Sequence, residues 1–384
     1  MTVVRLGMIG GGQGAFIGGV HRTAAALAGN WQLVAGALSS TPEKARASGA
    51  AIGLLPSRSY GAWPEMLERE SAMAADERIE AVAIVTPNHM HARPAVAAME
   101  AGFDVIIDKP LAGTMVDACA IADAVRRTGR RIAITYTYAG YPMVKQARRL
   151  VAGGSVGPVR RVIVKYTQDW LSRACDLEDN KQAAWRVDPA QSGEAGAFGD
   201  IGTHAANLVE FITGQRINSL AAELSMLSGR VLDDDGAALF HLSGGGRGTL
   251  IASQVCVGDA NDLAISIYCA DAGLHWRQEQ PNQLTVARRD RPTEIWQAGS
   301  NRAYLSPELR AIQRTPGGHP EGYLEAFANI YVAFGHAIRG TVTDSDEPGF
   351  GTLDDALSGM AFIRACLLSS AAGATWVDLQ GLES

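Results

Sequence analysis

The chain has 384 residues, of which 47% are hydrophobic and 19% charged, and its formal net charge at pH 7 is -6. This length predicts two domains with a substantial core, and the acidic balance argues against a nucleic-acid partner, which needs a basic surface. No apolar run approaches the roughly 20 residues of a membrane span, so no membrane partner is expected. The first predicted strand begins almost at the first methionine, which leaves no room for a signal peptide, and we expect a cytoplasmic protein.

The first third of the chain alternates short β-rich runs with helical stretches. This alternation predicts an α/β fold with a doubly wound parallel sheet and helices on both faces. The predicted strands are Val3–Ile9, Gln32–Leu38, Ala81–Val85, Asp104–Ile107 and Arg131–Thr135.

A glycine-rich turn follows the first predicted strand and leads into the first helix. Its glycines allow a tight turn and a close backbone approach to a pyrophosphate at the helix N-terminus. The spacing departs from G-x-G-x-x-G, because the best third glycine comes three residues late, and a merely flexible loop is the alternative. The position between strand and helix predicts a Rossmann NAD(P)-binding domain over residues 1–136. Its candidate pyrophosphate-binding residues are Gly10, Gly12, Gln13 and Gly18.

The end of the second predicted strand bears on the choice between NAD and NADP. An NAD-preferring site usually has an acidic residue there, whereas this chain has Ser39 and Ser40. Lys44 and Arg46 follow closely and could pair with a 2′-phosphate, or could be ordinary charges of a helix surface. NADP is therefore at least as plausible as NAD.

A lysine lies at the carboxyl end of the fourth predicted strand, in the run Val105-Ile106-Ile107-Asp108-Lys109-Pro110. Ligands of open α/β sheets bind outside the carboxyl ends of the strands, so Lys109 is expected to face the group beside the nucleotide. Thr114 and Asp117 form a capping box, which starts the next helix after the lysine and leaves it on a loop. The alternative is a solvated loop lysine.

The pattern changes beyond about Tyr136, where strand-like runs are joined by short turns. Such a series predicts a large, mostly antiparallel sheet, and with the helices it defines an α+β substrate-binding and oligomerisation domain over residues 137–384. The predicted strands are Val159–Tyr166, Leu220–Ser225, Ala237–Leu242, Thr249–Val255, Ala264–Ala270 and Gln283–Ala287. The predicted helices are Tyr141–Ala152, Asp200–Ile212, Tyr323–Arg339 and Leu353–Ser369.

Asp200 and His204 are four residues apart at the start of a predicted helix, so their side chains are expected to share a face. A carboxylate beside an imidazole can orient the ring and raise its basicity. The alternative is a helix cap and an interior histidine. Oxidation of a secondary alcohol needs removal of the hydroxyl proton and stabilisation of alkoxide character, which a neutral histidine and a lysine ammonium can supply without a metal. His89 and His91 lack an obvious further ligand, and no metal is expected.

These motifs together resemble those of the glucose–fructose oxidoreductase, inositol dehydrogenase and rhizopine-catabolism (Gfo/Idh/MocA) family. The resemblance covers essentially the whole chain: the nucleotide turn, Thr86-Pro87-Asn88, Lys109-Pro110, and the pair Asp200 and His204. The family motif is usually Glu-Lys-Pro, whereas this chain has Asp108, which keeps the charge with a shorter reach. The resemblance implies that Lys109, Asp200 and His204 carry catalysis and contact substrate. It also implies that Thr86, Pro87, Asn88, His91, Lys109, Trp185 and Arg186 contact the cofactor.

The expected activity is an NAD(P)-dependent dehydrogenation of a secondary hydroxyl on a cyclic polyol, namely a pyranose, glycoside, anhydrosugar or inositol. A ketosugar reductase running in reverse and a redox-assisted glycosidase are the alternatives. Tyr138, Asp169 and His319 are the further candidate substrate contacts, the last on a glycine-rich loop that resembles one closing the pocket of sugar-oxidising relatives. The exposed face of the second sheet, together with the resemblance, predicts a homodimer or homotetramer.

Overall fold

The computed structural model describes residues 3–172, 186, 188–341 and 349–383. The contacts divide the chain into two compact units, one of Met1–Thr137 with Phe327–Ala356 and one of Tyr138–Ala326 with Leu357–Ser384. This division differs from the boundary predicted after residue 136, because a late segment of the chain belongs to the first unit. Among the described residues, no helix is both long enough and apolar enough to cross a membrane.

The first unit contains the predicted parallel sheet. Its strands run in the order β2-β1-β3-β4-β5, and every neighbouring pair is parallel. The strands are β1 (Val4–Gly10), β2 (Trp31–Ala37), β3 (Ala81–Val85), β4 (Asp104–Ile107) and β5 (Ile132–Ile134). The helices are α1 (Phe16–Ala28), α2 (Pro42–Ala51), α3 (Trp63–Ser71), α4 (Ala92–Glu100) and α5 (Met115–Thr128). The predicted doubly wound fold is confirmed.

Helix α5 begins and ends where its sequence signals predict. The Thr114 hydroxyl oxygen accepts a hydrogen bond from the Asp117 amide at 3.2 Å, and the hydroxyl donates to the Asp117 carboxylate at 2.9 Å. Gly129 ends the helix at a φ of 65°, in the left-handed region that favours glycine. Because the cap sets the start of α5 at Met115, Lys109 lies on the preceding loop.

The second unit is built on a nine-stranded sheet of order β13-β12-β11-β10-β6-β9-β8-β7-β14. Its strands are β6 (Val159–Thr167), β7 (Ile217–Ser225), β8 (Asp235–Leu242), β9 (Arg247–Ser253), β10 (Asp262–Cys269), β11 (Ala272–Arg277), β12 (Gln283–Arg288), β13 (Glu294–Gln297) and β14 (Val377–Asp378). The helices after α5 are α6 (Pro142–Ala152), α7 (Pro189–Ser192), α8 (Thr203–Thr213), α9 (Pro307–Ala311), α10 (Tyr323–Arg339) and α11 (Leu353–Ala371).

Three strands of this sheet, β11, β13 and β14, were not predicted, and one pair of strands is parallel. Strand β11 starts at Ala272, directly after β10, because β10 and β11 form a tight hairpin in which Tyr268 pairs with Gly273. The central pair, β6 and β9, is parallel. After β6 the chain passes through α8 to β7, and the antiparallel series β7, β8 and β9 then gives β9 the same direction as β6. The prediction of a mostly antiparallel sheet is otherwise confirmed.

One face of the nine-stranded sheet is buried and packs against α6 and α8. On the opposite face the strands carry partly exposed apolar side chains. The exposed fractions are 47% for Ile163, 50% for Leu239, 44% for Ile251 and 41% for Tyr268. This alternation is typical of an antiparallel sheet that is covered on one side only.

The late segment of the first unit packs around residues near the start of the chain. The Tyr331 hydroxyl lies 2.8 Å from Nδ1 of His21, and the Tyr331 carbonyl accepts a hydrogen bond from the Trp31 indole at 2.7 Å. The rings of Trp31 and Phe334 stack at 6.1 Å. These contacts complete the core of the first unit, which residues 4–136 alone would leave open.

Candidate functional site

The glycine-rich turn of the first unit is packed too closely for side chains. The Gly12 amide donates to the Leu38 carbonyl at 3.0 Å, and a Cβ on Gly12 would lie 2.4 Å from that oxygen. A Cβ on Gly18 would lie 2.1 Å from the Gly11 carbonyl oxygen, so α1 packs directly on the turn. Gly10 has a φ of 81°, which non-glycine residues rarely adopt.

The start of α1 offers backbone donors to an anion. Within the described residues, no side chain caps the helix at Ala15, so its first-turn N–H groups are oriented toward an incoming ligand. The exposed Gln13 is held through its amide, which donates to the Ser48 hydroxyl at 3.1 Å. At the end of β3, the buried Thr86 hydroxyl has no hydrogen-bond partner in the described part of the chain. This arrangement fits the pyrophosphate and ribose of NAD(P).

The residues predicted to contact the adenosine ribose lie at the end of β2 and at the start of α2. The Ser39 hydroxyl accepts a hydrogen bond from the Thr41 amide at 3.2 Å. Ser40 and Lys44 are exposed, the latter on α2. The Gly12 hydrogen bond to Leu38 brings the glycine turn beside this strand end, and contact of Ser39 with a nucleotide stays a prediction. These residues offer hydroxyl and ammonium donors to a ribose or a phosphate.

The loop that carries Lys109 is braced from two sides. Asp108, just before it, accepts a hydrogen bond from the Thr135 hydroxyl at 2.6 Å. His91 is fully buried, with Nε2 2.9 Å from the Thr86 carbonyl oxygen and Nδ1 3.1 Å from the Pro110 carbonyl oxygen. With no exposed surface, His91 supports this loop from inside the unit, and its contact with the cofactor stays a prediction. Pro87 and the buried Asn88 follow Thr86 at the same edge of the sheet.

In the second unit, a buried aspartate fixes the glycine-rich loop before α8. The Asp233 carboxylate accepts hydrogen bonds from the backbone amides of Gly196 at 2.6 Å and Phe198 at 2.8 Å. A Cβ on Gly196 would lie 2.0 Å from the Asp233 carbonyl oxygen, so this position requires glycine. Burial raises the pKa of Asp233, while the two amide donors oppose that effect. The loop continues into a π-helical turn, Phe198–Gly202.

Asp200 lies in this π-helical turn and His204 in the first turn of α8, so the predicted helix starts as a wider turn. Oδ2 of Asp200 accepts hydrogen bonds from Nε2 of Gln254 at 2.9 Å and from Nε of Arg186 at 3.2 Å. The Arg186 guanidinium also lies over the Trp170 ring, 5.8 Å from its centroid. Two donors on one oxygen favour the ionised carboxylate.

A ring of hydrogen bonds lies beside His204. The Tyr166 hydroxyl donates to Oδ1 of Asn261 at 2.7 Å, and Nδ2 of Asn261 donates to the Tyr138 hydroxyl at 3.4 Å. The short contact between the two tyrosine hydroxyls closes the ring, and Tyr138 is its donor because Tyr166 has already used its proton. The Tyr138 ring meets the His204 ring edge-on at 4.8 Å. Tyr138 is 5% exposed, so it supports the imidazole with its ring and keeps its hydroxyl proton inside the protein.

Burial raises the pKa values of Tyr138 and Tyr166. Both phenols therefore stay protonated, which keeps the donors and acceptors of the ring in one arrangement. The ring extends toward Asp200, because Nε2 of Gln168 donates to Oδ1 of Asn261 at 2.7 Å. Oε1 of Gln168 lies 3.5 Å from Nε2 of Gln254.

Two further predicted contacts, Asp169 and His319, form no hydrogen bond to this network within the described residues. The Asp169 carboxylate accepts from the Gly258 amide at 3.4 Å on an exposed loop. His319 is exposed on a loop held by the Glu321 carboxylate, which accepts from the Thr315 amide at 2.7 Å. Trp185 lies outside the described residues. Their roles toward substrate and cofactor stay predictions.

Two polar residues of the network were missed by the sequence reasoning. Gln254 follows Leu250 and Ala252 at alternate positions of β9 and its continuation, and those two residues are fully buried. A glutamine at a buried-face position needs hydrogen-bond partners, and that was the available signal. Asn261 directly precedes β10, and no pattern in the sequence distinguishes it.

Within the described ranges, no three His, Cys, Asp or Glu side chains are grouped as a metal site would need. The donors around Asp200 are amide and guanidinium N–H groups, which bind anions and hydroxyl oxygens rather than cations. The arrangement suits recognition of hydroxyl groups and proton transfer.

Comparisons with known proteins cover both units. Residues 4–136 match the family model described as "Oxidoreductase family, NAD-binding Rossmann fold", and residues 144–275 match "GFO/IDH/MocA C-terminal domain". An oxidoreductase from Sinorhizobium meliloti has a similar structure, with 41% identity, a TM-score of 0.87, and coverage of 98% of this chain and 100% of that one.

An inositol dehydrogenase homolog from Azotobacter vinelandii, solved with NADH and myo-inositol, is 30% identical with a TM-score of 0.89 over 98% of each chain. Levoglucosan dehydrogenase from Pseudarthrobacter phenanthrenivorans is 25% identical over the full length of both chains. These matches extend over both units and include the nucleotide turn as well as the segment with Asp200 and His204. The chain belongs to the Gfo/Idh/MocA family of NAD(P)-dependent oxidoreductases.

Proposed function

We propose that this enzyme oxidises a secondary hydroxyl of a cyclic polyol, with NAD(P) as hydride acceptor. The observation that carries the proposal is the arrangement of Asp200, held by Gln254 and Arg186, one turn before His204. An ionised carboxylate and an imidazole on adjacent turns suit the binding of a hydroxyl and the removal of its proton.

Each candidate residue has a distinct role in this proposal. His204 accepts the proton of the substrate hydroxyl, and Asp200 supports the charge that then develops on the imidazole. The Lys109 ammonium stabilises negative charge on the substrate oxygen. When bound, the nicotinamide supplies the two-electron acceptor for the hydride.

Inositols and anhydrosugars are the substrate classes that we favour. The inositol dehydrogenase homolog was solved with myo-inositol, and the relative of 25% identity is named for levoglucosan. Both compounds are rings rich in secondary hydroxyls. Ketosugar reduction is the same chemistry in reverse, and redox-assisted glycoside hydrolysis would use the same proton acceptor with no net change of the cofactor.

The test is a panel of inositols, anhydrosugars, aldoses and glycosides, incubated with NAD or NADP and followed by the absorbance of the reduced nicotinamide. We expect one mole of NAD(P)H per mole of ketone product for at least one cyclic polyol, and none with His204→Ala. Product without a net absorbance change would identify the glycosidase alternative. NAD(P)H consumption with ketosugars but no oxidation in the forward direction would favour the reductase.

We further propose that the open face of the nine-stranded sheet binds a second copy of the chain in a homodimer or homotetramer. Ile163 and Leu239 both pair with Thr249, from opposite sides of β9. The middle of this face thus combines apolar and hydroxyl side chains, with Arg161 and Lys165 at the neighbouring positions of β6. Such a mixture of apolar centre and charged margin suits a self-complementary interface. Light scattering at micromolar concentration should show an oligomer that Ile163→Asp weakens. A monomeric wild type would refute this proposal.

The cytoplasm stays the proposed location. Cys119, Cys256, Cys269 and Cys366 are free thiols, which is typical of proteins in a reducing compartment. Fractionation of cells that produce the protein, with detection in the periplasmic or extracellular fraction, would contradict this assignment.

A further inference from the structure

We infer that Gln254 is a positioning residue that, together with Arg186, keeps Asp200 ionised and holds its orientation one turn before His204. This inference rests on the proposed function, in which Asp200 takes part in proton transfer. Gln254 belongs to none of the predicted motifs, and its side chain acts through the carboxylate of Asp200 rather than on the substrate.

The backbone of Gln254 is held on both sides. Its amide donates to the Asp234 carbonyl at 2.8 Å, and its carbonyl accepts from the Leu171 amide at 3.1 Å. The residue is 2% exposed. Because neither the backbone nor the side chain can move into solvent without breaking these contacts, the amide group presents a fixed donor to Asp200.

The surrounding oxygens determine which end of the Gln254 amide faces the carboxylate. Its Nε2 lies between Oδ2 of Asp200 at 2.9 Å and Oε1 of Gln168 at 3.5 Å. Only the NH₂ group can lie between two acceptors. Gln168 is oriented in turn, because its Oε1 also accepts from the Trp170 indole at 2.9 Å.

This orientation connects the two proposed catalytic side chains by a second route besides the helix backbone. From Asp200 the amides of Gln254, Gln168 and Asn261 lead to Tyr138, whose ring packs on His204. Amide groups do not titrate in the physiological range, so the donors keep their direction at every pH at which the enzyme is folded. The chain of amide groups therefore holds the orientation of Asp200 and Tyr138 and favours the ionised form of Asp200.

The decisive substitution is Gln254→Glu, which keeps the size of the side chain and replaces the donor with a second carboxyl group. Two carboxyl groups at hydrogen-bond distance share a proton, which raises one of their pKa values. The Arg186 guanidinium, 3.2 Å from Oδ2 of Asp200, opposes part of this rise. We expect the turnover number at about pH 7 to fall by about 10-fold or more, the lower range for loss of acid–base positioning. The acidic limb of the pH profile should move up by about one pH unit or more.

The double variant Asp200→Asn with Gln254→Glu restores one amide against one carboxylate, with the charge on the opposite residue.

A stability measurement tests the effect of residue 254 on the ionisation of Asp200 independently of activity. In Gln254→Glu the raised pKa belongs to the folded state, so the melting temperature should fall, relative to wild type, as pH rises above about 4. The double variant should lose this pH dependence. If Gln254→Glu does not fold at neutral pH, the comparison is made near pH 5, where the shared proton removes the repulsion.

Gln283→Glu, on the exposed side of β12, is the matched control and should leave both profiles unchanged. The inference is overturned if Gln254→Glu keeps the wild-type pH profile, or if its melting curve is displaced equally at all pH values and the double variant does not correct it. If the wild type oxidises no polyol of the panel, the proposed function fails, while the melting curves still decide whether Gln254 controls the ionisation of Asp200.

Discussion

The buried histidine of α1 predicts a specific dependence of stability on pH. His21 is fully buried, with Nδ1 2.8 Å from the Tyr331 hydroxyl and its ring edge-on to Phe327 at 4.8 Å. Burial is the main cause that lowers its pKa from 6.5 to about 4, against a weaker opposing effect of the Asp108 charge. The folded protein therefore holds this ring in its neutral form.

The direction of the effect follows from the depressed pKa. Below pH 6.5 the unfolded chain binds a proton at this histidine, whereas the folded chain does not until the pH falls to about 4. Stability is fully present above the unfolded pKa and is lost as the pH falls through that window. One pKa unit is worth about 1.4 kcal/mol, so the loss is about 3 kcal/mol, a large part of the roughly 5–15 kcal/mol that stabilises a typical protein.

The test is urea unfolding of the wild type and of His21→Asn between about pH 7 and pH 4, a range set by the two pKa values. Asparagine can retain a hydrogen bond to Tyr331 and does not titrate. The wild type should lose about 3 kcal/mol more than the variant over this range. His336→Gln is the control, because that ring is not fully buried and hydrogen-bonds Thr341 near the end of α10. Parallel curves for wild type and His21→Asn would refute the reasoning.

Three further predictions concern the cofactor and the proposed catalytic residues. Gly18→Ala should lower NAD(P) affinity at least 10-fold by calorimetry, since its Cβ would lie 2.1 Å from the backbone of the turn, whereas Gly19→Ala has open space to 3.9 Å and should bind normally. Ser39→Asp should weaken NADP far more than NAD through like-charge repulsion, and equal weakening would show that this strand end does not read the 2′-phosphate. Lys109→Ala and His204→Ala should each lower the turnover number by about 10²-fold or more with little change in cofactor affinity, and normal turnover in His204→Ala would end the proposed mechanism.

Sequence patterns predicted the elements that depend on residues close to one another in the chain. The alternation of apolar strands with helices predicted the parallel sheet, and Thr114 with Asp117 predicted the start of α5. Gly12 and Gly18 pack closely against the backbone of Leu38 and Gly11, while the approach of this turn to a pyrophosphate stays a prediction. In each case a few adjacent residues determine the conformation.

Contacts between distant parts of the chain could not be predicted from local sequence patterns. The pairing of Asp200 with Gln254 joins residues from a π-helical turn and the end of a strand, and nothing near either residue specifies the other. The parallel pairing of β6 with β9 depends on the crossover through α8 rather than on strand composition. The contact of the half-buried Asp169 with Gly258 likewise joins residues that lie far apart in sequence.

The assignment of residues 327–356 to the first unit has a consequence for how this protein is made. Chains fold as they leave the ribosome, N-terminal parts first, yet the nucleotide-binding unit has to wait for Tyr331 and Phe334 before the indole and imidazole near its start are enclosed. A fragment that stops at residue 136 would leave Trp31 without its acceptor. An autonomous nucleotide-binding fragment therefore has to join residues 3–137 to 327–356 by a linker, rather than end where the sequence motif ends.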